Sequence, residues 1–237
     1  MKTHPRFLIV VPTYQEKANI AYHINEVFKA QPGVAVLVVD DNSPDGTAQI
    51  VRDLQAKYKA LHLLVREKKE GLGRAYIAGF EWGLTHEFDF FVQMDADGSH
   101  RPDDLVHLLN GLLKSHVVVG SRRTAGGEVR NWEWYRRLLS WGGNMYASLL
   151  LHGSIRDWTG GFNGWSRQVL EKMNFKACHS QGYSFQIEMK LRALRLNFSA
   201  IEVPIIFEER REGYSKMSLA IIIEALHQVW RLRKQTF

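Results

Sequence analysis

The chain has 237 residues, 45% of them hydrophobic and 24% charged, which suits a folded protein with a sizeable core and excludes disorder. Its net charge of +6 is mild and uneven. Arg122, Arg123, Arg130, Arg136 and Arg137 share one stretch, and Arg210, Arg211, Lys216, Arg231, Arg233 and Lys234 lie toward the end. Such clusters suit phosphates or anionic lipid, and their mixing with Trp and Ile runs disfavours nucleic acid. The lone Cys178 excludes an internal disulfide and fits a reducing compartment. Residues 1–6 are polar and the apolar run at 7–11 is short, so no signal peptide is expected. No stretch approaches the roughly 18 apolar residues of a membrane span.

In chain order, residues 7–11 predict a first buried strand, closed by Pro12, and 19–30 have the spacing of a helix. A second apolar, β-branched run at 34–39 ends in Asp40-Asp41-Asn42-Ser43-Pro44-Asp45-Gly46. A helix through about 58, a strand at 61–65 and a helix opened by Gly71-Leu72-Gly73 follow. Residues 88–94 form the next strand, 102–114 a helix, and 117–120 another strand. This alternation predicts an α/β fold with a mostly parallel, helix-covered sheet.

After Gly120 the pattern changes. Residues 121–131 predict a mobile loop, and 132–151 a helix mixing Trp132, Trp134, Tyr135, Trp141 and Tyr146 with Arg136 and Arg137. Aromatics beside arginines on one amphipathic helix suit a membrane interface. Residues 157–165 predict a turn-rich crossing and 183–196 a helix. A strand at 201–207, interrupted by Pro204, belongs at a sheet edge, and a basic amphipathic helix at 215–234 ends the chain.

Acidic groups fall at three predicted strand ends: Glu16 after the first, Asp40 and Asp41 after the second, Asp95 and Asp97 after the fourth. Loops at one edge of a parallel sheet converge on one crevice, so these groups are expected to share a site. Two carboxylates spaced i, i+2 repel each other unless a hard divalent cation sits beside them. The alternative is a plain loop, with Asp95 capping the turn and Asp97 capping the helix near Pro102. In the first loop, Tyr14 offers an aromatic face and Glu16 a carboxylate, suited to a nucleobase and ribose. No Gly-x-Gly-x-x-Gly follows the first strand and no Gly-Lys-Ser/Thr loop exists, which argues against dinucleotide and P-loop binding.

Six motifs then occur in order: Val-Pro-Thr-Tyr-Gln-Glu (11–16), Val-Val-Asp-Asp-Asn-Ser-Pro-Asp-Gly (38–46), Asp-Ala-Asp-Gly-Ser-His (95–100), Gly-Ser-Arg (120–122), Gly-Tyr-Ser-Phe-Gln-Ile-Glu-Met (182–189) and Arg-Arg-Glu-Gly-Tyr-Ser-Lys (210–216). Together they resemble the GT-A inverting glycosyltransferases, and within them the dolichol-phosphate (polyprenol-phosphate) mannose synthases. The resemblance runs over 7–216 and implies a single GT-A domain over 1–237, with a nucleotide-sugar half (1–120) and an acceptor- and membrane-facing half (121–237). It implies transfer of mannose from GDP-mannose to a polyprenyl or dolichyl phosphate, with Mg²⁺ or Mn²⁺. The same residues leave open a UDP-glucose donor. Rivals from other classes are a phospho-acceptor signalling domain and a nucleotide-binding module without catalysis.

Carried over by position, the resemblance implies that Pro12, Tyr14, Glu16, Val39 and Asp41 hold the nucleotide. Asp95, Ala96 and Asp97 would lie along the diphosphate, with Asp97 the principal metal ligand and Asp95 beside it. Arg122, Arg136, Arg210, Ser215 and Lys216 would meet the donor and acceptor phosphates. Relatives carry Gln where this chain has Ser99, a shorter and poorer cation ligand, which puts a third protein ligand in doubt. His100 is the one histidine placed near the acidic pair. The enzyme would act at the cytoplasmic face of a membrane, through its own amphipathic helices or a small membrane subunit.

Overall fold

Burial alternates along the first strands, and that alternation sets the layers. The computed structural model describes residues 4–178, 180, 182–209 and 219–235. In β1 (Phe7–Thr13), Leu8 and Val10 face one apolar cluster while Ile9 and Val11 face another. Leu37 and Val39 of β2 (Ala35–Asp40) split from Val36 and Val38 in the same way. The sheet is therefore buried on both faces, as period-two side chains on a parallel sheet require. Seven strands take the order β3-β2-β1-β4-β7-β5-β8, where β3 is Leu61–Val65, β4 Phe90–Gln93, β5 Val117–Ser121, β7 Asn163–Ser166 and β8 Ala200–Pro204. All are parallel except β7, which runs antiparallel to both β4 and β5.

One face carries α1 (Ile20–Ala30), α2 (Thr47–Gln55) and α4 (Leu105–Leu112). The other carries α3 (Leu72–Thr85), α5 (Trp134–Leu151), α6 (Arg167–Lys172), α7 (Gly182–Arg195) and α8 (Leu219–Lys234). Helix α3 lies close on the sheet because Gly79 and Gly83 leave room. A Cβ at Gly79 would sit 2.4 Å from Val10 Cγ1, and one at Gly83 2.4 Å from Phe91 Cε1. Core packing at crystal-like density has no slack for that methyl group.

Most predicted elements stand where expected, and three details differ. Residue Pro12 does not close β1, which runs on to Thr13 with Pro12 paired to Val39. Residues 157–165 are not only a crossing: they deliver β7 into the middle of the sheet. The stretch 121–131 is not wholly loop, since β6 (Glu128–Val129) pairs in parallel with β9 (Ile206–Phe207) in a second small sheet. Strand β8 is at the sheet edge, as Pro204 requires. Among the described residues no helix is long and apolar enough to cross a membrane.

Candidate active site

Strands β2, β1 and β4 are adjacent and parallel, so the loops after Asp40, Thr13 and Gln93 emerge at one sheet edge. Asp95 and Asp97 enter this crevice from the turn after β4. Tyr76 of α3 donates its hydroxyl to Asp95 Oδ1 at 2.7 Å. Burial, then the charge of Asp95, pushes the Tyr76 phenol far above its ordinary value, so it stays a donor. The Asp95 backbone N–H donates to His100 Nδ1 at 2.9 Å, which places His100 directly against the acidic turn. Asp97 Oδ1 accepts from both the backbone N–H and the hydroxyl of Ser99, at 3.0 and 2.6 Å.

That pair of bonds closes an Asx turn around Gly98, whose φ of +81° suits glycine. Asp97 therefore caps its own turn and not the following helix, whose N-cap is Arg101 with Pro102 behind it. Ser99 is buried, and its hydroxyl donates to Asp97. Among the described residues no group of three or more His, Cys, Asp or Glu could hold a metal. Two hard carboxylates at one strand end do fit a Mg²⁺- or Mn²⁺-type ion that takes its other oxygens from water and a diphosphate.

The loops after β1 and β2 are tied together. Asp40, fully buried, accepts from Thr13 Oγ1 at 2.8 Å and from Ser43 Oγ at 2.6 Å. Pro12 and Val39 are buried at the ends of their strands. Tyr14 is half-buried with Lys69 Nζ 3.8 Å over its ring, and Glu16 Oε2 accepts from Asn19 at 2.9 Å. Asp41 is buried and paired with Arg66 at 2.7 Å. The loops that carry these residues thus leave one sheet edge, and Asp41 there is already salt-bridged.

Arg122 follows β5 at the same edge, and its side chain is paired with a buried carboxylate. Its Nε and Nη2 straddle Asp157 at 2.8 and 2.7 Å, its backbone N–H adds a third bond at 3.0 Å, and Nη2 also reaches Thr159. Burial would raise the Asp157 carboxyl, yet Arg122 and then Lys190 hold it well below the usual carboxylate range. This guanidinium thus orients the 157–160 loop beside β5. Arg136 lies over the Trp132 ring at 4.8 Å and pairs with Glu209. Glu188, buried, pairs with Arg192 at 2.8 Å and is not at a helix surface. Arg210, Ser215 and Lys216 lie outside the described residues.

Sequence reasoning missed Asp157, Lys190 and Tyr76. The Lys190 ammonium is fully buried and donates to the carbonyls of Asp157, Trp158 and Gly160 at 3.0, 3.0 and 2.8 Å. Asp157 sits in a turn-forming Asp-Trp-Thr-Gly-Gly run, a signal of a tight loop but not of its partners. No local signal places Lys190.

A family model described as glycosyl transferase family 2 matches residues 8–173. The chain belongs to this family. It is 45% identical over 232 residues to the polyprenol monophosphomannose synthase of Mycolicibacterium smegmatis, covering 96% of this chain and 88% of the relative. It is 42% identical over 226 residues to the undecaprenyl-phosphate mannosyltransferase of Micrococcus luteus, covering 95% and 93%. The expected resemblance to polyprenyl-phosphate mannose synthases is thus borne out. Among solved structures, glucosyl-3-phosphoglycerate synthase from Mycobacterium tuberculosis with Mn²⁺ and UDP shares the fold at TM-score 0.67 and 18% identity, over 98% of this chain and 79% of that one. The mannosyltransferase PcManGT from Pyrobaculum calidifontis with GDP-Man and Mn²⁺ does so at 0.60 and 18%, over 98% and 70%. The family 2 glycosyltransferase architecture expected from the motifs is the one observed.

Two outcomes follow for this family 2 site. Asp157→Ala leaves Arg122 buried without its carboxylate and should cost about 3–5 kcal/mol in urea unfolding. The double replacement Arg122→Met/Asp157→Leu should cost less than either single change; strictly additive losses would mean that the pair is not coupled. The second outcome concerns pH. Burial, then the charge of His100, pulls His23 from 6.5 to about 4 against the opposing pull of Asp97. Between those pH values the folded state keeps His23 neutral while the unfolded chain protonates it, so stability falls as pH drops from 6.5 through 4. The loss attributable to this fully buried group is about 3 kcal/mol, and His23→Leu, followed in EDTA, should flatten that part of the curve.

Proposed function

We propose that this protein is a metal-dependent, inverting mannosyltransferase that moves mannose from GDP-mannose to a polyprenyl monophosphate, giving polyprenyl-phosphate mannose and GDP. The observation that carries this reading is the near full-length identity of 42–45% to two proteins named for polyprenyl-phosphate mannose transfer. The crevice supports it with an acidic pair at the edge of an open α/β sheet, where a sugar nucleotide's diphosphate is accommodated.

Pro12, Tyr14, Glu16, Val39 and Asp41 flank the nucleotide in this reading, and Ala96 lies along the diphosphate between Asp95 and Asp97. Asp97 and Asp95 would hold Mg²⁺ or Mn²⁺, which supplies charge neutralisation to the leaving diphosphate. The acceptor phosphate oxygen forms its bond to the anomeric carbon as the bond to the GDP oxygen breaks, and the configuration inverts. A phosphate monoester has a second pKa near ~6, so the attacking oxygen is already anionic at neutral pH. No proton has to move, and no general base is needed. The chain's task is to keep two anions together, for which Arg136, Arg210, Ser215 and Lys216 are the phosphate-facing candidates, with Arg122 holding the wall.

Helix α5 gives the acceptor a place to arrive. Trp134, Leu138, Trp141, Met145 and Leu149 are exposed and follow one another at steps of three and four residues, so they form a single stripe. Trp134 is 75% and Leu149 65% exposed. Helix α8 packs on α5 through a Tyr146 hydroxyl bond to the Leu226 carbonyl and adds exposed Leu226 and Trp230, with Lys234 over the Trp230 ring. An apolar stripe edged by cations suits the anionic, cytoplasmic face of a membrane. The chain would sit there peripherally, alone or with a small membrane subunit.

Labelled mannose from GDP-mannose should enter a lipid fraction only when polyprenyl phosphate is added, and EDTA should abolish it. Asp97→Asn should lower the rate by at least about 100-fold. Donor binding without lipid labelling would sink the acceptor assignment, and preferential labelling from UDP-glucose would sink the donor. In co-sedimentation with anionic vesicles, Trp134→Ser/Trp141→Ser/Leu149→Ser should weaken binding by at least about tenfold. Unchanged partitioning would remove α5 from the membrane.

A further inference from the structure

Helix α7 reaches the acidic turn by two routes. The Phe185 ring lies parallel to that of Tyr76, 6.3 Å away at 1°, and Tyr76 holds Asp95. The next residue, Gln186, is 2% exposed, and its Nε2 lies with the His100 ring around Gly161, His100 being bonded to Asp95.

The orientation of the Gln186 amide is fixed by its neighbours. Trp165 Nε1, which can only donate, bonds to Gln93 Oε1 at 3.0 Å. Asn163 donates its Nδ2 to that same oxygen at 3.4 Å, to the Gly160 carbonyl at 3.0 Å and to Gln186 Oε1 at 3.0 Å. Because the Gly160 carbonyl only accepts, the Asn163 nitrogen must face this side, and Gln186 must present its oxygen to it. The Gln186 nitrogen is therefore turned away from the network, and this buried Nε2 has no hydrogen-bond partner. Gln93 Nε2 and Asn163 Oδ1 of the same network are likewise without a partner, and of the three it is Gln186 Nε2 that lies beside Gly161 and His100.

Nε2 lies beside Gly161, whose missing side chain leaves a notch the size of one methyl group. A Cβ on Gly161 would lie 3.7 Å from Gln186 Nε2, 3.5 Å from His100 Cε1 and 3.8 Å from His100 Nε2. His100 is held edge-on by stacking on Phe162, 4.8 Å away at 11°. Its Nδ1 accepts the Asp95 N–H. The neutral Gln186 N–H thus flanks the notch left by the missing Gly161 side chain, and His100 links that notch to Asp95. A neutral donor suits a hydroxyl oxygen, whereas a phosphate would call for a cation.

We propose that Gln186 is a specificity-determining residue, whose Nε2 donates to one ring hydroxyl of the transferred hexose seated in the Gly161 notch, with His100 alongside. This rests on the reading that Asp95 and Asp97 hold a sugar nucleotide by its diphosphate, since the sugar must then lie within one ring of Asp95.

The test compares GDP with GDP-mannose in three variants. Gln186→Glu keeps the oxygen that Asn163 needs and replaces the donor. Gln186→Leu removes both. Gly161→Ala fills the notch at ordinary contact distances and leaves every hydrogen bond of the network in place. Each should lower kcat/KM for GDP-mannose by roughly 10- to 100-fold while changing GDP affinity by less than about threefold. Among GDP-deoxymannoses, the wild type should penalise the loss of one particular hydroxyl, and Gln186→Leu should erase that penalty alone. Equal losses for GDP and GDP-mannose, or an unchanged kcat/KM in Gly161→Ala, would overturn the proposal and leave Nε2 to a buried water. If the Gln186 variants fail to fold, Gly161→Ala decides. If the wild type moves no mannose to lipid, the proposed function fails; the GDP against GDP-mannose affinities of Gly161→Ala and wild type still report on the notch.

Discussion

The crevice wall hangs on one buried carboxylate. Asp157 receives a bidentate guanidinium and a backbone N–H from Arg122, and a further N–H from Gly160 at 3.0 Å. Its own N–H goes to Glu202 of β8 at 2.9 Å, while Asn144 of α5 accepts from Trp158 and Thr159 at 2.7 and 3.1 Å. Lys190 of α7 closes the loop from below through three carbonyls. Four elements thus meet on a four-residue loop that has almost no apolar packing of its own apart from Trp158. Burial draws the Lys190 ammonium down to about 7 while Asp157 draws it up. A cation in that position is tolerated because carbonyl oxygens replace the water it has lost.

That loop sets where β7 begins, and β7 is the one reversed strand. Its reversal puts Asn163 and Trp165 beside Gln93 of β4, so that polar side chains cross the middle of the sheet directly behind the acidic turn. A core of aliphatic residues there would pack more simply. The amide layer instead hands a defined orientation from Trp165 through Gln93 and Asn163 to Gln186, which is how a residue on α7 comes to present a known end of its amide beside Gly161. Bonded polar networks specify one arrangement, and this one leaves Gln93 Nε2, Asn163 Oδ1 and Gln186 Nε2 over.

The nucleotide half was legible because its signals are local. Apolar β-branched runs ending in Asp40-Asp41 and in Asp95-x-Asp97 gave strand, turn and site together, since a parallel sheet leaves its carboxyl ends at one edge. Strand β7 was not legible: Asn163, Gly164 and Ser166 lack β-branched or aromatic character, and its strand state comes from being clasped between β4 and β5. Strands β6 and β9 have two residues each and exist only as a pair. The partner of Arg122 lies 35 residues on, and that of the loop carbonyls 30 to 33, beyond any pattern of spacing. The buried carboxylate that Arg122 pairs with was therefore not visible in the sequence.

This pairing changes the electrostatics of the proposed transfer. Two anionic reactants have to meet, yet the arginines placed at the crevice are already matched: Arg66 with Asp41, Arg122 with Asp157, Arg136 with Glu209. The first two are rigid. A buried pair cannot surrender its carboxylate to an incoming phosphate without leaving that carboxylate unpaired, at a cost of several kcal/mol. Arg136 is different, because Glu209 is 45% exposed and can return to water cheaply. Neutralisation in this reading therefore falls on three sources: the cation at Asp95 and Asp97, Arg136 after exchanging partners, and the cations of the Arg-Arg-Glu-Gly-Tyr-Ser-Lys segment. The rigid pairs shape the crevice, and the exchangeable one responds to what enters it.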